Sequence, residues 1–482
     1  MSSLIGAARW ASVATLFRAM LQFMQLIVLA RCLGPEDMGV AVLTFSLIAM
    51  MQVFSDIGLN NIILHRRDLS SEELASLYGV GLVFGFILFL ISVPLSYGVA
   101  RFYADERLVA IVLGVGGIFL LNAVWSQPKV IAERDFLFFP VALCEMAAGG
   151  LSFIFLIVIS FYYRTPFAVV LCALSYSLFM GVGVFLIGRL RPRYGVRLSF
   201  EKIRPFLMYS SFNFGFSVVN SITSQIDVFI GARVIGAAQM GGYGVAKDLG
   251  LKIALVINNT ATRVSSPFLS KSQSDPIELK NVYSQILGFI TFLNFPIYVS
   301  MIFSSEDWIR LLFGNKWSSS SQIFVIFALW GMVRSVGHPS GALLFVTGES
   351  RKAFIFAVFT ALAFIPILYI GATYGVVELA ASLLLVLVGQ QVFPVWYYLV
   401  RPHTAMSFLE YWRLPMKAFL CSTLAFGAAH FIYVLSEPSL LLFFLTQMSA
   451  ALLYLLISFK FNKRQCEVFL KAIGLRSLLL KP

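Results

Sequence analysis

About fourteen times along its 482 residues, the chain runs for roughly 20 positions with hardly a charge before a turn or a charge cluster interrupts it. A helix rises about 1.5 Å per residue, so each run matches the ~30 Å hydrocarbon layer of a bilayer. The first run covers 7 to 31 and the last 438 to 460. Within lipid every backbone N–H and C=O must find a partner inside the protein, which leaves helices or a closed barrel. Barrel strands would show alternating segments of about ten residues, and none is present. The sequence therefore predicts an all-α polytopic membrane protein with about 14 transmembrane helices. Composition agrees: the chain is 59% hydrophobic and 12% charged, with a mean hydropathy of +0.87. A soluble domain carries roughly 25% charged residues, so a water-soluble fold is excluded.

The formal charge of +13 would suit a nucleic-acid ligand if the bases were clustered. They fall instead in the short breaks between apolar runs. Alternate breaks, together with the C-terminal tail, hold 22 Lys and Arg, against seven in the others. Retained positive charge marks the cytoplasmic side, so both termini are expected in the cytoplasm and no nucleic acid is expected as a partner. The five cysteines (Cys32, Cys144, Cys172, Cys421 and Cys466) have no metal-ligand spacing and read as packing residues. The first apolar stretch holds Arg18 and lacks a cleavage site, so it reads as the first span rather than a signal peptide.

An internal repeat organises the chain. Ala30-Arg31-Cys32-Leu33-Gly34, followed by Met38-Gly39, is echoed 202 positions later by Ala232-Arg233-Val234-Ile235-Gly236, followed by Met240-Gly241. Pro128 and Pro339 form a weaker echo at an offset of 211. Six spans separate the paired positions, so the repeats should be parallel and related by an axis near the membrane normal. The expected division is an N-terminal six-helix lobe at 1–190, a basic cytoplasmic linker at 191–204 and a C-terminal six-helix lobe at 205–400. Two additional transmembrane helices at 401–462 and a cytoplasmic amphipathic tail at 463–482 complete it. Two such pseudo-symmetric lobes would enclose a central cleft.

No nucleophile, phosphate loop or metal-ligand spacing stands out, so an enzyme is not expected and no cofactor is implied. The chemistry lies in polarity inside the membrane, where a charge costs about 2.5 to 3.5 kcal/mol unless it faces protein or water. Asn213, Ser217, Asn220, Ser224 and Asp227 recur at steps that stack them on one helical face, and Ser12, Thr15, Arg18, Gln22 and Gln25 do the same on the first span. These stripes, with Lys247, are candidates for lining the cleft; hydrogen bonding between helices is the alternative use.

Counting from the span ends places Arg18, Lys252 and Arg334 near the midplane, with no acid at that level. Three cations from both lobes would suit an anionic group such as a pyrophosphate, whose oxygens accept charge-assisted hydrogen bonds. The competing readings are local pairs: Lys252 with Asp248, Lys247 with Asp227, and Arg334 with backbone carbonyls near Pro339. Asp56 and Asp227 are candidate carboxylates for coupling to a driving ion, H+ or Na+. Gly58, Gly241, Gly242, Gly244 and Pro267 mark places of close packing or bending.

These residues also carry a family likeness. Arg31-Cys-Leu-Gly-Pro-Glu-Asp-Met-Gly39, Phe54-Ser-Asp-Ile-Gly-Leu59 with the following Ile-Leu-His-Arg, Gln225-Ile-Asp227 to Gly241-Gly-Tyr243, and Leu312-Phe-Gly-Asn-Lys-Trp317 occur in that order. Together they resemble the polysaccharide transporter (Wzx-like flippase) family, in its colanic-acid-exporter-like branch. The parent superfamily exports drugs, oligosaccharidyl lipids and polysaccharides.

The resemblance implies two six-helix lobes with two further helices. It also implies alternating-access export of undecaprenyl-pyrophosphate-linked oligosaccharide repeat units across a bacterial inner membrane, for exopolysaccharide, capsule or O-antigen. Membrane lipids, a polysaccharide polymerase and glycosyltransferases are the partners it suggests. A cation-coupled multidrug exporter, favouring an acidic cleft, and a non-transporting scaffold for glycan assembly are the rival readings.

Overall fold

A computed structural model describes residues 2–55, 63, 69–186, 195–198, 200–273, 275–436 and 439–472. Among these residues nearly all of the chain is helical, with no strand. The helices are α1 (Ser2–Cys32), α2 (Pro35–Ser55), α3 (Ser71–Tyr103), α4 (Arg107–Arg134), α5 (Phe138–Tyr163), α6 (Ala168–Leu186), α7 (Phe200–Val234) and α8 (Ala237–Lys271). They continue with α9 (Pro276–Phe303), α10 (Ser305–Phe313), a 3-10 stretch (Asn315–Ser320), α11 (Ser321–Val346), α12 (Ser350–Tyr374) and α13 (Val376–Gln390). Helix α13 runs on through a π-helical stretch (Gln391–Val400) that contains Pro394, and ends in the turn Arg401–Thr404. The last three are α14 (Phe408–Leu435), α15 (Leu440–Phe461) and α16 (Lys463–Ala472).

Twelve helices among the described residues are long and apolar enough to cross a membrane. With α7 and α8, each of 35 residues, they make the fourteen long helices expected of this multi-pass membrane protein. Side-chain capping fixes some of the starts. Ser70 and Glu73 form a reciprocal capping box at the start of α3, and Ser407 and Glu410 do the same at α14.

The chain divides into two compact units. The first holds residues 1–245 with 354–365, and the second 246–353 with 366–482. In the first unit, helices approach closely over small residues, as they must where lipid supplies no hydrophobic drive for association. A Cβ on Gly116 would lie 2.0 Å from Ser92 Oγ, joining α4 to α3, and one on Gly183 would lie 2.9 Å from Cys144 Sγ, joining α6 to α5.

Pro128 lies inside α4 rather than at its end, so Lys129 and Arg134, which the apolar pattern assigns to a loop, are helical. Proline cannot donate to the carbonyl four residues back, that of Val124. The Tyr78 hydroxyl of α3 donates to that oxygen instead, at 3.0 Å, which lets the helix continue to Arg134.

At the start of α4, Arg107 binds Asp105, Glu36 and Asp37 at 2.8–3.0 Å, bracing the N-terminus of α2. Burial pushes the Asp105 carboxyl up, but its hydrogen bonds from the Arg107 side chain and backbone outweigh that and hold it below the usual carboxylate range.

The second unit is built around α9, whose Tyr283, Leu287, Ile290, Phe292 and Tyr298 are buried. Tyr298 donates to the Gly250 carbonyl of α8 at 2.7 Å, and Asn294 to Asn258 at 3.0 Å. The tail helix expected after residue 463 forms α16, and it docks on this unit. Gln465 lies where a Cβ on Gly288 of α9 would point, 2.5 Å away, and both Gln465 and Cys466 are buried.

Candidate functional site

A cavity of about 400 Å³, with charged and polar side chains set in a largely apolar wall, opens within the first unit. Helix α1 contributes Arg18, Gln22 and Gln25 to its wall, α4 contributes Asn122 and Lys129, and α6 contributes Tyr176. The three α1 side chains share a face because they lie four and three residues apart, so the stripe read from the sequence places them together. Gln52, Ser152 and Ser177, with apolar residues, complete the lining.

The charges are arranged around one carboxylate. Arg18 Nη2 donates to Glu145 Oε1 at 2.9 Å and to the Tyr176 hydroxyl oxygen at 2.8 Å. Lys129 Nζ meets the same Glu145 oxygen, and it stands 3.7 Å from Glu133, one turn along α4. The Glu145 side chain is 14% exposed and that of Arg18 44%. The two bases line the cavity and Glu145 does not, so the wall presents donors.

Counting along the sequence puts no acid at the depth of Arg18, and this contact corrects it. A guanidinium on a long, flexible stem reaches across more than a helical turn, and residue counting fixes only where the Cα lies. Lys129 is the residue that sequence reasoning missed; its i,i+4 spacing to Glu133 within an unbroken helix was the available signal.

The other candidates lie elsewhere. Asp227 is buried at 1% exposure and accepts a hydrogen bond of 2.5 Å from the Tyr243 hydroxyl. Ser217 and Asn220 are exposed on α7, and Ser224 donates to the Ser221 carbonyl at 2.8 Å. None of these lines the cavity. Lys247 is buried. The side chain of Asn213, and Asp56 as a whole, lie outside the described residues.

In the second unit, Lys252 Nζ stands 3.3 Å from Asp248, the i,i+4 pair named as the local alternative. The Arg334 guanidinium lies over the Trp330 ring, 4.9 Å from its centroid, a cation–π contact one turn back along α11 rather than toward Pro339.

Residues 28–322 match the family described as polysaccharide biosynthesis protein. The lipopolysaccharide biosynthesis protein WzxC of Escherichia coli (strain K12) is 25% identical over 84% of this chain and 83% of its own length. The teichuronic acid biosynthesis protein TuaB of Bacillus subtilis (strain 168) is 22% identical over 73% of each chain. Among solved structures, the lipid II flippase MurJ in an inward closed conformation superposes with a TM-score of 0.75 and 15% identity, over 94% of this chain and 98% of that one. An inward-facing multidrug-resistance transporter of the MATE family gives 0.61 and 14%, over 85% and 95%. These superpositions show a shared fold.

Proposed function

This chain belongs to the polysaccharide biosynthesis protein family, and from that premise we propose that it is a flippase carrying polyprenyl-pyrophosphate-linked oligosaccharide repeat units across the bacterial inner membrane. The observation that carries the reading is the cavity wall of the first unit, where Arg18 and polar amides face a space inside a membrane protein. Among the described residues this wall carries Arg18 and Lys129 and no acid, so it offers donors to an anionic head and no carboxylate to the organic cations that a drug exporter would favour, which counts against that rival. A scaffold would have no use for a cavity lined by charged and polar side chains within the bilayer.

In this reading Arg18 holds phosphate oxygens in the first unit, and Lys252 and Arg334 are further anion contacts on the second. The sugar head travels through polar surroundings while the polyprenyl tail stays in lipid. Both termini face the cytoplasm, as the loop charges imply, and a polymerase would take the repeat unit on the far side. Coupling to H+ or Na+ through Asp227 or Asp56 is the driving step to test.

Purified protein in proteoliposomes should translocate a fluorescent polyprenyl-pyrophosphate-linked oligosaccharide, and deletion of the gene should leave that lipid-linked glycan accumulated on the inner leaflet. Vesicles that move organic cations and leave the glycolipid in place would overturn the proposal.

A further inference from the structure

We propose that Arg18 and Lys129 together form the seat for the substrate's phosphates, and that Glu145 is a resident counter-ion which occupies their donors until the phosphates displace it. The inference rests on the export reading and names the chemistry of its site.

Three observations carry it. First, the two bases come from different helices, α1 and α4, yet converge on a single oxygen, Glu145 Oε1, from α5. Two cations brought together within one membrane-embedded cluster repel each other strongly unless an anion lies between them. Second, both bases are part of the cavity wall and Glu145 is not. Their charged ends can therefore turn toward a ligand without either backbone moving. Third, the charged groups that meet at this centre, among the described residues, are Arg18, Lys129, Glu145 and Glu133, with the Tyr176 hydroxyl as a neutral partner of Arg18. Two bases and two acids make the cluster neutral. A neutral cluster costs less to keep in the membrane than two unpaired bases would, yet it can expose two cations once the carboxylate is displaced.

A pyrophosphate offers several oxygens to the donors that Glu145 now engages through one. Arg18 can bind it with two parallel N–H groups, and Lys129 as a point charge.

The test is binding of inorganic pyrophosphate to full-length protein in nanodiscs, measured by calorimetry. Lys129→Ala and Arg18→Ala should each weaken binding by about tenfold or more, the worth of a charge-assisted hydrogen bond. Glu145→Gln, which frees both bases, should tighten it by about tenfold on the same grounds. A merely structural acid would not produce a gain in affinity. Glu145→Asp keeps the charge but withdraws it by one methylene, and should also bind more tightly than wild type; it serves if the Gln variant does not fold.

Wild-type affinity in Lys129→Ala, or no gain in either Glu145 variant, overturns the seat. A wild-type protein that moves the lipid-linked oligosaccharide while Glu145→Gln shows no gain refutes the seat alone. One that shows every pyrophosphate effect yet moves no glycolipid refutes the export reading alone.

Discussion

Gly39 and Gly241 hold equivalent places in the two sequence repeats, and each is pressed against the other repeat's corner. A Cβ on Gly39 would stand 1.8 Å from the Ala237 carbonyl oxygen, and one on Gly241 would stand 2.2 Å from the Pro35 carbonyl oxygen. Pro35 and Ala237 are themselves equivalent at the 202-residue offset, so the contact is reciprocal. A turn further along, a Cβ on Gly244 would stand 2.1 Å from Val42, again a matched pair. The N-terminal turns of α2 and α8 thus cross backbone to backbone, and only glycine permits that distance.

Alanine at Gly39 or Gly241 must push the corners apart. Each substitution should lower the melting temperature of the detergent-solubilised protein by the equivalent of about 1–3 kcal/mol of overpacking. Gly98, where an added Cβ would meet nothing within 4 Å, is the control: Gly98→Ala should leave the melting temperature unchanged or raise it, since alanine is the better helix former. Equal melting in all three variants would show that the corner is looser than described.

Neutralising Arg18, Lys252 or Arg334 should abolish surface polysaccharide without lowering the amount of protein in the membrane. Arg18→Ala leaves Glu145 paired with Lys129, so the fold is expected to survive. Normal polysaccharide from all three single mutants and from the triple would remove these residues from the export step. Blotting for protein and for surface glycan in the same cells checks both halves.

Tyr243→Phe deletes the hydroxyl that donates to buried Asp227. Loss of a hydrogen bond to a buried carboxylate should cost about 1–3 kcal/mol, read as a lower melting temperature. Melting unchanged from wild type would mean that Asp227 draws its support elsewhere.

The Arg107 cluster predicts a pH dependence. Asp105 is depressed below its ordinary value near 4 by Arg107, so the stability it contributes is present above that value and is lost as pH falls through the lower, folded-state value. Wild-type melting should decline across that acid range, whereas Arg107→Gln should melt lower at neutral pH and show a flatter decline. A pH series by differential scanning fluorimetry separates the two profiles.

Much of the fold was legible because an apolar run has one use in lipid. The run read at 138 to 161 is the helix Phe138–Tyr163. The run read at 205 to 232 is the longer Phe200–Val234, because hydropathy marks the apolar part of a helix and not its ends. Helix Ser305–Phe313 went unread: in nine residues, Glu306, Asp307 and Arg310 break any hydropathy signal, although its apolar side packs Ile309 and Phe313 into the second unit. At the site, the α1 stripe was legible because its spacing is local. The bond from Arg18 to Glu145 was not, since it joins residues 127 positions apart and depends on side-chain reach. Lys129 was hidden by Pro128, which reads as a helix end until Tyr78 is seen to take over the freed carbonyl.

The crossing of α2 and α8 uses one patch twice, with matching positions exchanging contacts. That is the form of an isologous interface, the way identical chains pair about a two-fold axis. Two half-length chains inserted in one orientation would meet through this same glycine-lined corner about an axis along the membrane normal.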